Sequence, residues 1–131
     1  MDVNTHPRIN PALCGHPVEL APGRAVARLT TTPAMAADDR GLVHGGFVFG
    51  LADYAAMLAV NDPNVVLGAA DVRFTAPTVV GDILEATATV TETAGRKRLV
   101  EVVVRRAEGI VLTGGFTCFV PPRHVLDRSP A

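Results

Sequence analysis

The chain has 131 residues, 48% of them hydrophobic and 19% charged, which suits one domain with a packed core and excludes a disordered chain. Twelve basic residues against 13 acidic ones leave a net charge of -1, without the basic excess that neutralising nucleic-acid phosphates requires.

Residues 1–22 hold Pro7, Pro11, Pro17 and Pro22 and read as a loop-rich lead-in with one short helical turn. No basic-then-apolar leader opens MDVNTHPRIN. The uncharged run Gly45 to Ala52 falls far short of the ~20 residues that span a bilayer. The expectation is a cytoplasmic protein with no membrane partner. The main domain is expected over 23–120. It starts with a strand in RAVARLTTT (24–32), ended by Pro33, followed by a polar loop over Met35 to Leu42.

His44 to Val60, HGGFVFGLADYAAMLAV, is too long for a strand and rich in helix formers. Gly50 costs about 1 kcal/mol in the helix interior, and Asn61-Asp62-Pro63 supplies the stop. Apolar residues on every side predict a buried helix. From Val65 the period changes to two. Val72 and Phe74 alternate with Asp71 and Arg73, and Leu84, Ala86, Ala88 and Val90 with Glu85, Thr87 and Thr89. Turns are expected at Gly81, Ala94-Gly95 and Glu108-Gly109, and a tail over 121–131. The order β–α–β–β–β–β, with four hairpin-linked strands, predicts an α+β domain in which a curved antiparallel five-stranded sheet wraps one apolar helix. One helix cannot cover both faces of such a sheet, so a partner chain is expected.

Several chemistries are excluded. Ser129 is the one serine, so no G-x-S-x-G elbow exists. Cys14 and Cys118 make no disulfide framework. His6, His16, His44 and His124 are dispersed, without metal-ligand spacing, so no metal is expected. No phosphate-binding glycine fingerprint occurs. Asp53 stands out as the one acidic residue between His44 and Val60. A carboxylate buried on such a helix must be paired, hydrogen-bonded or protonated. It lies on a wet strip, bonds a strand backbone, or waits in an apolar cleft as base or nucleophile. His44-Gly45-Gly46 opens the helix with bare, closely approachable amides, suited to a carbonyl oxygen gaining negative charge. The glycines also fit a plain tight turn. Gly45 and Asp53 are eight residues apart, ~12 Å along a helix. One carbon cannot touch both on a single helix, whereas two antiparallel copies across a two-fold axis bring them together.

The segment GLVHGGFVFGLADYAAMLAVN resembles the helix motif of the hotdog-fold thioesterases, in the phenylacetate-pathway and 4-hydroxybenzoyl-CoA branch. There H-G-G is followed by an acidic residue nine positions after the histidine, the spacing of His44 and Asp53. VRFTAPTVVGDILEATATV resembles that family's strand, proline and Gly-Asp turn. The resemblance spans Gly23 to Val120. It implies a hotdog fold and hydrolysis of an acyl-CoA with a small aromatic or short- or medium-chain acyl group. Gly45 would polarise the thioester carbonyl, Asp53 would act as base or nucleophile, and His44 would shape the start of the helix. Gly46, Phe49, Tyr54 and Met57, with Phe47 and Phe74, would line the substrate pocket. Asp38 stands six before the histidine, where relatives position substrate or water with an amide. Coenzyme A is part of the substrate rather than a cofactor. Its phosphates would meet Arg73, Arg96 and Arg98, with Lys97 and Arg123 as further basic candidates. The expected partners are acyl-CoA and a second copy, assembled as a dimer of dimers. The alternative is an acyl-CoA-binding hotdog module without turnover, a sensor or scaffold. An enoyl-CoA hydratase would need a histidine at position 58, which is Leu58.

Overall fold

The computed structural model describes residues 1–127. Its lead-in is more organised than the prolines suggest. Asn10 caps one helical turn, α1 (Pro11–Cys14), by accepting a hydrogen bond from the Ala12 amide at 2.9 Å. Gly15 follows at φ 92°, where a Cβ would lie 2.7 Å from the Arg28 carbonyl oxygen and 2.8 Å from Leu51, so the chain passes there only as glycine. Strand β1 (His16–Ala21) then pairs antiparallel with β2 (Arg24–Thr30). The sheet therefore has six strands rather than the expected five. Pro17 and a bulge between Pro17 and Glu19 disguise β1 in the sequence. It is an edge strand, where a residue lacking an amide hydrogen is tolerated.

A 3-10 turn (Pro33–Met35) leads to helix α2 (Gly45–Val60). His44 precedes it without a side-chain cap. Asn61 ends it in the left-handed region at φ 53°, its amide donating to the Met57 carbonyl at 2.8 Å, a conformation asparagine adopts more readily than most residues. Val48, Leu51, Ala52 and the run 54–59 are buried. Each large apolar side chain so removed from water contributes ~1.5–3 kcal/mol, so packing holds a helix whose start is uncapped.

The remaining strands are β3 (Val66–Phe74), β4 (Ile83–Ala94), β5 (Lys97–Arg106) and β6 (Gly109–Phe119). Their period of two turns Leu84, Ala86 and Ala88 of β4 and Val100, Val102 and Val104 of β5 toward α2, beside Ala25, Ala27 and Leu29 of β2. The order across the antiparallel sheet is β1-β2-β4-β5-β6-β3. One expectation needs correcting. Strands β4, β5 and β6 are hairpin-linked, but β3 pairs with β6 and not with β4, whose other neighbour is β2. Alternation says which side chains face inward, not which strand lies alongside. The connection 75–82 carries the chain across. Thr31 anchors its Gly-Asp turn, its hydroxyl placed to donate to the carbonyls of Asp82 at 2.8 Å and Val79 at 3.1 Å. The result is a curved sheet around one long helix, the hotdog arrangement, with β1 and β3 as its two edges.

Among the described residues no helix is long and apolar enough to cross a membrane. The expected tail 121–131 is described only to residue 127; its last four residues, Ser129 among them, lie outside the described residues.

Candidate active site

The His44 amide donates to the Met35 carbonyl at 2.9 Å, and the His44 carbonyl accepts from Phe47 at 3.1 Å, fixing where α2 begins. The amides of Gly45 and Gly46 have no backbone carbonyl partner among the described residues. The first amides of any helix share this state, and the helix dipole adds partial positive charge. Neighbouring rings crowd both positions, so that a side chain there would have to push them aside by a few tenths of an ångström. A Cβ on Gly45 would lie 3.3 Å from the Phe74 ring, and one on Gly46 would lie 3.0 Å from the His44 ring. His44 is exposed, folds over Gly46, and stands edge-on to Phe47 with centroids 6.2 Å apart. A cleft of about 410 Å³ opens here, with Gly45, Phe74 and Thr78 in its wall. The Thr78 hydroxyl is buried without a hydrogen-bond partner among the described residues.

Gly46, Gly50, Asp53 and Met57 follow one another at spacings of four, three and four, so they share one face of α2. Nothing lies within 4 Å of where a Gly50 Cβ would sit. That row therefore carries no side chain between the free amides and the carboxylate. Sequence reasoning registered only the helix-weakening effect of Gly50 and missed this one.

Asp53 is half-buried, and its Oδ1 is fully buried with no hydrogen-bond partner among the described residues. For that oxygen the strand-backbone alternative is not met. Burial pushes the carboxyl above the usual carboxylate range, and the charge of His6 pulls the other way. The surroundings are otherwise neutral. Burial raises the Cys14 thiol and the Tyr54 hydroxyl, and carries Cys118 up to about 11, the charge of Asp53 adding to the shift of both thiols.

The remaining expected residues are distributed unevenly. Phe49 packs on Phe116 of β6 at 5.5 Å, within the contact between helix and sheet, and Met57 is buried. Tyr54 is buried and faces the lead-in, its ring centroid 6.3 Å from that of His6. Exposed Asp38 ties its own loop, accepting from the amides of Arg40 at 2.9 Å and Leu42 at 3.1 Å. Arg73 pairs with Thr113 on the sheet face away from α2. Arg98 closes its own hairpin by donating to the Gly95 carbonyl at 2.8 Å, with exposed Arg96 in the turn. Lys97 lies level with Phe119 and Val66, whereas Phe74 lies level with Leu112 and Val104. The basic hairpin and Gly45 thus occupy opposite ends of the sheet, ~24 Å apart along β5. The described residues contain no cluster of three or more His, Cys, Asp or Glu able to hold a metal.

Known proteins agree with this architecture. The family model of the thioesterase superfamily matches residues 40–113, more than half of the chain. The chain is 53% identical to the uncharacterized protein PH1136 of Pyrococcus horikoshii, covering 97% of this chain and 98% of that one with a TM-score of 0.95. It is 27% identical to the E. coli PaaI protein from the phenylacetic acid degradation operon, covering 82% and 84% with a TM-score of 0.76. A relative named methylthioribose-1-phosphate isomerase, from Aquifex aeolicus, is 51% identical over 116 residues; these are 88% of this chain, which spans only 25% of that relative's length. With the helix motif, the sheet order and the family match in agreement, the chain belongs to the thioesterase superfamily and has its hotdog fold.

Proposed function

We propose that the protein hydrolyses acyl-CoA thioesters, with small aromatic and short- or medium-chain acyl groups as its substrate class. One observation carries the reading. On a single face of α2, uncommitted amides stand at one end and a buried, unpartnered carboxylate oxygen stands further along, with no side chain between them. Unsatisfied buried polar atoms are rare in folded proteins and call for a partner. The likeness to a phenylacetic acid degradation protein supports an aromatic acyl group.

The site is shared between two copies. Both edges carry one bulge, but β3 is nine residues long and without proline, whereas β1 is six residues long and carries Pro17. A long edge free of proline is a template for another strand. Antiparallel pairing of β3 with its copy sets Gly45 and the Thr78 hydroxyl of one protomer toward Asp53 in the partner. It also carries the partner's basic hairpin to the Gly45 end, where arginine forks suit the coenzyme's phosphates. The Gly45 amide then polarises the thioester carbonyl and holds the oxyanion. Asp53 either takes a proton from attacking water or attacks the carbonyl itself to give a mixed anhydride that water opens. In both routes the carbon–sulfur bond breaks and coenzyme A leaves as the thiol.

Thiol release from a panel of acyl-CoA esters, with wild type and Asp53→Asn in parallel, tests the proposal. The expected result is turnover by the wild type and a kcat lowered ~10²–10⁴-fold in the variant, the scale of a positioned proton-transfer group. Full turnover by Asp53→Asn removes the role given to Asp53. Tight acyl-CoA binding without release by the wild type replaces hydrolysis with the binding-module reading, which Asp38, already engaged by its own loop, favours.

A further inference from the structure

The connection 75–82 lies outside the strands, yet its residues Thr75 to Thr78 form one wall of the Gly45 cleft. Backbone outside a ladder must find its hydrogen bonds elsewhere. The Thr78 carbonyl accepts from the Val43 amide at 2.8 Å, two residues before Gly45. The amide on the other side of the same peptide group, that of Val79, donates to Asp82 Oδ2 at 2.9 Å. Peptide group 78–79 therefore joins the cleft wall to the segment that enters α2.

Arg106 holds this peptide group from two directions. It is the last residue of β5, and its side chain is 22% exposed. Its Nη1 donates to the Pro77 carbonyl at 2.7 Å, one peptide group before 78–79, and stands 3.4 Å from Asp82 Oδ2, the acceptor of the Val79 amide. Its Nε stands 3.4 Å from Glu108 Oε2 in the adjoining turn. Ion pairs near the surface add little stability. A guanidinium is nevertheless a flat, rigid fork that fixes several acceptors at once, whereas an ammonium acts as a point charge. The segment entering α2 has a second hold in the His44 amide on the Met35 carbonyl, but Met35 belongs to the fully buried core. The Val43 side hangs on Arg106 and Asp82.

We propose that Arg106 is a positioning residue for the Gly45 amide. It fixes peptide group 78–79 through Pro77 and Asp82, and the bond from Val43 passes that placement to the start of α2. The proposal rests on the hydrolytic reading above for its catalytic meaning, but the bracing is a property of the free protein. A donor that stabilises an oxyanion must be in place before the charge develops, and a misplacement of an ångström or less costs rate. The contact is made in the transition state, so its loss lowers kcat and leaves KM nearly unchanged.

Arg106→Gln tests this in the full chain. Acyl-CoA hydrolysis is measured together with amide hydrogen exchange and the Gly45 amide resonance in the free protein. The expected outcome is kcat lowered roughly tenfold with KM changed less than about threefold. The Val43 amide should exchange about tenfold faster while amides within β5 keep their protection, and the Gly45 resonance should move. If Arg106→Gln does not fold, Arg106→Lys, which keeps the charge but not the fork, should give smaller changes of the same kind. Unchanged kcat overturns the proposal, whether or not the thermal midpoint falls. Moved amides in a protein whose wild type hydrolyses no thioester keep the bracing and remove the hydrolytic reading. Wild-type turnover with unmoved amides in the variant does the reverse.

Discussion

The two halves of α2 solve opposite problems with one sequence style. From Asp53 to Val60 the helix is enclosed, its end shaped by Asn61 and laced to Asp2 and Asn4. From Gly45 to Gly50 one face of it is bare, with three glycines, no cap and the Gly45 amide beside a cleft. A helix selected for stability alone would cap its start with serine, threonine, aspartate or asparagine. Here the stabilisation comes from the enclosed half, which lets the open half keep its backbone available. The contrast teaches that the candidate carboxylate, Asp53, sits at the border, where the enclosed half of the helix gives way to the bare row.

The largest effect should come from closing the open half at one atom. Proline is tolerated at the first position of a helix, and His44 already has the extended conformation (φ -61°, ψ 129°) that a following proline requires. The exposed Phe74 ring, 3.3 Å from where the new Cβ would sit, has room to give way; Gly45→Pro therefore removes the amide hydrogen while the helix remains, and kcat should fall about 10²–10³-fold, as for loss of an oxyanion donor. Mixing Gly45→Pro with Asp53→Ala subunits should then regain activity, because a mixed pair contains one intact shared site. No regain after exchange of subunits would put both groups in the same chain's site.

A middling effect is expected at the border itself. Gly50→Leu refills the bare row between amides and carboxylate, so kcat/KM for acyl-CoA should drop ~10-fold or more through lost substrate access. The same change should raise the thermal midpoint slightly, since glycine inside a helix costs ~0.5–1 kcal/mol relative to alanine. Activity and stability moving in opposite directions is the diagnostic outcome; a parallel loss of both would mean that the open face is packing surface.

The smallest effect concerns the enclosed half. Its neighbours hold the Asp53 carboxyl above the unfolded value of 3.8. The native state thus binds more protons than the unfolded state between that value and the raised one, so the Asp53 contribution to stability declines as pH rises through this window. Asp53→Asn should be the more stable protein near neutral pH, and its advantage should shrink below about pH 4 as the wild-type carboxyl becomes protonated in both states. Urea midpoints across pH measure this, and a variant that is less stable at neutral pH would contradict it.

How much of this was legible in the sequence depends on the range over which each feature acts. The helix, its buried character and the Gly45–Asp53 spacing all lie within one segment, where periodicity reports geometry directly. The curved antiparallel sheet was legible for the same reason. Strand β1 was not, because Pro17 removes the usual signal at an edge that tolerates it, and neither was the pairing of β3 with β6, which alternation does not encode. Thr78 and His6 carried no local mark at all. His6 precedes Tyr54 by 48 residues, and only the fold brings their rings together. Gly50 was visible but half read, because a propensity scale gives its cost to the helix and is silent on the bare row it leaves on the surface of α2.

The pairing of Asp53 with two cysteines has a protective side. A thioester delivered beside a thiolate exchanges onto that sulfur, leaving the protein acylated and stalled, and it is the thiolate rather than the thiol that attacks. Cys14 and Cys118 are both kept protonated by their surroundings and by the nearby anion. On the hydrolytic reading, the carboxylate that serves the reaction thus adds to the burial that keeps both thiols unreactive.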